Sequence, residues 1–114
     1  MKTYPAIDEN GVLVSFEISM AQAGPKILSR FVEGKLGGKV YDRRKSFSDN
    51  EVHFRFSFLN HDLLVWEPFG DNSRYWIGFS EDSPKDYEIM SQVHGEFQNF
   101  KPGLKGWITG FFQI

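Results

Sequence analysis

Apolar and polar positions alternate along much of the chain, most clearly in EVHFRFSFLNHDLLVWEPFG, residues 51 to 70. Here Val52, Phe54, Phe56 and Phe58 alternate with His53, Arg55 and Ser57. A period of two sends successive side chains to opposite faces of a strand. The ladder therefore predicts a strand with phenylalanines on its buried face and His53 on the other, turning at Asn60-His61-Asp62. Val12, Val14, Phe16 and Ile18 repeat the rhythm against Leu13, Ser15 and Glu17. Asn10-Gly11 before them favours a tight hairpin turn. A short strand through Tyr4 and Ile7 precedes it, kept to an edge because Pro5 has no N–H to give to a ladder. Further strands are expected over Lys39 to Phe47, Leu63 to Phe69 and Arg74 to Phe79, separated by Ser48-Asp49-Asn50 and Gly70-Asp71-Asn72-Ser73. A last strand is expected over Trp107 to Ile114, bent at Gly110.

Twice the period lengthens to that of a helix. Ile27, Leu28, Phe31, Val32 and Leu36 form one stripe behind Pro25, a residue suited to a first turn, and Gly37-Gly38 stops it. The capping-box form of Ser19-Met20-Ala21-Gln22 precedes Gly24-Pro25, which would break a helix begun there. Ile89, Val93, Phe97 and Phe100 form the second stripe. Ser83-Pro84-Lys85-Asp86 predicts its start, with Ser83 as N-cap and Pro84 at the first helical position, and Lys101-Pro102-Gly103 ends it. The order of strand, helix, four strands, helix and strand predicts an α+β fold. Its antiparallel, or mixed, sheet of about five to six strands would carry both helices on one face. Residues 1–114 form a single domain, with no repeat or linker to divide them.

Composition narrows the function. The chain has no cysteine, which excludes thiolate metal sites and cysteine nucleophiles and fits a reducing compartment. Its N-terminus lacks the apolar core of a secretory signal, and the apolar run Leu63 to Trp66 is far short of a bilayer span. A cytoplasmic, soluble protein is expected. Twelve phenylalanines are more bulk than a small core needs, so some aromatics are expected at a binding surface. The net charge of −2 conceals segregation. Residues 26–45 carry seven basic side chains against two acidic, and residues 61–88 carry seven acidic against two basic. Such asymmetry bears on partners and on steering.

Catalytic and cofactor signatures are missing. EGKLGGKV fails the phosphate-loop pattern at Glu33 and Val40, where a glycine and a hydroxyl belong. His53, His61 and His94 fit no metal-ligand spacing, and Asn60-His61-Asp62 is turn chemistry before it is an acid–base pair. No catalytic residue, metal or cofactor is expected. The phenylalanine ladder has the rhythm of an RNA-recognition sheet but not its glycine-aromatic lead-in. The basic cluster Lys39, Arg43, Arg44 and Lys45 is the one candidate phosphate patch. In size and composition the chain resembles the bacterial immunity proteins that neutralise cognate toxins, a likeness that no motif carries. The reading is a protein-binding inhibitor of that type, acting on a basic protein partner. Its expected contact residues are Trp66, Glu67, Asp71, Tyr75, Trp76, Glu81, Asp82, Asp86 and Glu88, with the three aromatics as anchors. The alternative is a small-ligand-binding or catalytic α+β domain with a pocket between helices and sheet.

Overall fold

A computed structural model describes residues 1–19, 21–43, 52–67 and 74–101. It is the expected α+β arrangement: a six-stranded antiparallel sheet and two helices. The strands are β1 (Thr3–Ile7), β2 (Leu13–Ser19), β3 (Lys39–Tyr41), β4 (Val52–Phe58), β5 (His61–Trp66) and β6 (Arg74–Phe79). Their spatial order is β1-β2-β6-β5-β4-β3. Strands β3 to β6 form a meander, and the β1–β2 hairpin docks on its free edge through β2 and β6. The first helix, α1 (Pro25–Phe31), continues into a π-helical turn over Val32–Leu36, and α2 spans Tyr87–Asn99.

Both helices cover one face of the sheet. Phe16 and Ile18 of β2, Phe54 and Phe56 of β4, Leu63 and Val65 of β5 and Tyr75 and Ile77 of β6 meet Leu28, Phe31, Val32, Met90, Val93 and Phe97 there. Every apolar residue expected in the α1 stripe is buried. The pitch differs from expectation, because the last turn widens. The N–H groups of Gly37 and Gly38 both reach back to the Val32 carbonyl. Gly37 ends the element at φ 83°, a conformation glycine adopts without steric cost.

Two boundaries differ from the sequence-based expectation. The β4–β5 turn is Leu59-Asn60, with φ of 49° and 65°, the left-handed pair that a two-residue hairpin loop requires. His61 and Asp62 therefore open β5 instead of forming the turn. The N-cap of α2 is Asp86, whose carboxylate accepts from the Glu88 N–H at 3.0 Å. Ser83 is engaged elsewhere, its hydroxyl accepting from the Asp62 N–H at 2.9 Å, so the helix starts a turn later. Beyond Arg43, the remainder of the expected Lys39–Phe47 strand and the Ser48-Asp49-Asn50 turn lie outside the described residues. So do the end of the expected Leu63–Phe69 strand and the Trp107–Ile114 strand.

The β4 strand also carries a bulge. Val52 pairs with Trp66 and Phe54 with Val65, which leaves His53 as an extra residue. A bulge turns consecutive side chains toward one face. His53 accordingly sits on the helix side, its ring 5.3 Å from that of Tyr75, and not on the face opposite Phe54.

Candidate functional site

The sheet face away from the helices carries an open groove of about 430 Å³. Val52, Arg55, Leu64, Trp66 and Trp76 line it, and the turn Ser80-Glu81-Asp82 forms one end. Strand register builds its floor. Trp66 and Trp76 are directly opposed across β5 and β6, with ring centroids 5.8 Å apart at 84°, an edge-to-face pair. The bulge at His53 is what puts Val52 on this face, beside Trp66. Gly78 completes the arrangement. A Cβ there would lie 2.4 Å from the Trp76 ring, so only glycine leaves the indole its seat on the sheet.

Polar groups around the groove divide into satisfied and free. Arg55 donates from Nε to Asp42 at 3.2 Å, and the Tyr41 hydroxyl donates to Asp62 at 2.9 Å. Partial burial, and then the bond to Asp62, raises the Tyr41 phenol above its ordinary pKa. Glu81 and Asp82 are exposed and form no ion pair with any described residue. The Lys85 ammonium lies near the backbone carbonyls of Ser80, Glu81 and Ser83, at 3.4–3.5 Å. Ser80 is only 7% exposed, yet its hydroxyl makes no hydrogen bond with a described residue. Ser80 is also among the residues that border the groove.

Four of the nine expected contact residues thus converge: Trp66, Trp76, Glu81 and Asp82. Tyr75 does not join them. It is 1% exposed in the core, which removes it as an anchor. Glu67 is 6% exposed and accepts a hydrogen bond from, or ion-pairs with, His53 Nε2 at 2.9 Å. These three residues form a buried polar cluster under the sheet, in which burial and the Glu67 carboxylate push the Tyr75 phenol well above its usual pKa. Asp86 and Glu88 belong to the start of α2, on the helix side of the sheet. Asp71 lies outside the described residues. Arg55, Leu64, Ser80 and Gly78 were not expected at the site. Of these only Gly78 left a trace in the sequence, since an isolated glycine within a strand marks a close approach.

A second groove, of about 460 Å³, lies on the outer surface of α1, lined by Lys26, Ser29, Arg30, Glu33, Gly34 and Arg43. It holds part of the basic segment, and within it Arg43 is paired with Glu33. Neither groove lies between helices and sheet. Phe54 and Phe56, the centre of the phenylalanine ladder, are fully buried and present no ring to a nucleic-acid base. Among the described residues no three acidic or histidine side chains are grouped to hold a metal, and no helix is long and apolar enough to cross a membrane. No family model, no curated protein and no solved structure matches the chain, so the site stands on its own chemistry.

Proposed function

We propose that this protein is a non-enzymatic binding module that docks a basic protein partner on the open face of its sheet. Its inhibition of that partner would be stoichiometric, in the manner of an immunity protein or antitoxin. The observation that carries this reading is the groove itself. Two half-buried tryptophans stand in contact on a sheet face that no described helix covers, with two carboxylates at one end that pair with no described residue. Tryptophan anchors surrounded by polar residues are the composition of an interface hot spot, and exposed acids favour encounter with a basic surface.

The test is affinity capture with the wild-type chain and the double variant W66A/W76A, whose folding is first checked by circular dichroism. The expected result is one protein recovered in equimolar amount by wild type, released by high salt and absent from the variant eluate. Equal recovery by the two proteins would remove the groove from the binding function.

A further inference from the structure

We propose that the groove is a socket for an arginine side chain of the partner. The guanidinium would stack on one indole of the perpendicular Trp66–Trp76 pair and meet the other at its side, Glu81 and Asp82 would supply counter-charge, and Ser80 would accept one of its hydrogen bonds. The proposal rests on the protein-binding reading above and names the chemistry of its anchor.

Three features lead to it. The first is charge complementarity without internal satisfaction. Around the groove stand the carboxylates of Asp42, Asp62, Glu81 and Asp82 against the cations Arg55 and Lys85. Asp42 is taken by Arg55 and Asp62 accepts from Tyr41, whereas Glu81 and Asp82 pair with no cation among the described residues. The second is Ser80, a buried residue at the groove whose hydroxyl has no hydrogen-bond partner among the described residues. A hydroxyl can accept as well as donate, and a guanidinium offers five N–H groups in a planar fork.

The third is a precedent on the same sheet. Arg74 lies 3.7 Å over the ring of Tyr4 and 3.5 Å from the Glu17 carboxylate. Its guanidinium is thus held between an aromatic face and an acid. The groove sets the same two kinds of group together, with indole in place of phenol, and among the described residues no cation lies over either indole. Tryptophan is the stronger ring for this contact. A compact, strongly hydrated ammonium would use the charge but not the stacking surface, so arginine is favoured over lysine.

The experiment titrates ¹⁵N-labelled full-length protein, at low salt, with three capped tripeptides: Gly-Arg-Gly, Gly-Lys-Gly and Gly-citrulline-Gly. It follows the indole N–H signals of Trp66 and Trp76, assigned with W66F and W76F. Both signals are expected to shift saturably with the arginine peptide and about threefold more weakly with lysine. Citrulline, which has the shape without the charge, is expected to give no saturation. The exposed double substitution E81Q/D82N should weaken arginine binding about fivefold to tenfold, as should raised salt. Equal response to arginine and citrulline, no response to any peptide, or unchanged affinity in E81Q/D82N would each overturn the arginine socket. If the peptides fail while partner capture still depends on Trp66 and Trp76, the binding-module reading stands and only its anchor is wrong. Sedimentation showing a dimer that W76A dissolves would instead make a second copy of this chain the occupant, and would equally overturn the proposal.

Discussion

Tyr75 and Trp76 are neighbours in sequence, yet β6 sends them to opposite sides of the sheet: the phenol lies 1% exposed among the core residues and the indole lines the open groove. Trp66 and Glu67 divide in the same way, with Glu67 turned inward to His53. A strand period states that such neighbours part, but not which of the two meets the helices. That choice was set by the helix stripes and by the bulge at His53, neither of which is local to Trp66 or Tyr75. The burial of Tyr75 has a consequence in alkali. Its phenol is held well above the ordinary value, first by burial and then by Glu67, so folding favours the protonated form. The unfolded chain releases that proton near pH 10 and the folded chain only at higher pH. Below about pH 10 both states are protonated and the residue adds no pH dependence; as pH rises beyond it, stability falls. The Tyr75→Phe substitution should therefore flatten the decline above pH 10 while changing stability by less than about 1 kcal/mol at pH 7. Urea denaturation at pH 7 and pH 11 measures both. An equally steep alkaline decline in the variant would show that another group controls it.

Ser83-Pro84-Lys85-Asp86 contains two starts for one helix, a serine with proline behind it and an aspartate three residues on. Local capping chemistry accepts either. The decision comes from the Asp62 N–H, 21 residues earlier in the chain, which takes the Ser83 hydroxyl as its acceptor and leaves the helix to Asp86. The hairpin turn is displaced from its expected place for a similar reason. Asn60 suits a left-handed position, but the turn also needs one from Leu59, a residue whose identity gives no hint of it. Element types and order were thus legible, because hydrophobic periods of two and 3.6 carry them, whereas the caps, the bulge and the π-turn depend on distant partners. The reassigned cap separates two roles that the acidic segment had merged. Replacing Asp86 with alanine should lower stability by about 1 kcal/mol, as loss of a side-chain cap does, and so lower the melting temperature by roughly 3–6 °C. The same substitution should leave the arginine-peptide affinity unchanged, since α2 lies across the sheet from the groove. Calorimetry and the indole titration report on the two separately. A large loss of peptide affinity in a folded D86A protein would place Asp86 at the groove after all.

At the scale of the molecule, the segregated charge is distributed over two surfaces. Lys26, Arg30 and Arg43 border the groove on α1, and Glu81 and Asp82 border the groove on the open sheet face. Net charge is near neutral, so long-range attraction depends on which surface a partner meets. A basic partner is drawn to the end of the sheet that carries the free carboxylates and turned away from α1, which orients it before contact. Glu67 is buried and Asp86 caps α2, so reversing charge at either position would disturb folding together with any effect on steering. The informative variant is E81K/D82K. Against the captured partner it should slow association by roughly tenfold or more at low salt, with the difference shrinking as ionic strength rises, because screening acts on the encounter. Dissociation should change less in this variant than in W76A, where the anchor itself is lost and the complex falls apart faster. Stopped-flow association at two salt concentrations separates the effects. An association rate insensitive to both E81K/D82K and salt would mean that the partner finds the tryptophans without electrostatic guidance, and that the acidic rim has no part in recognition.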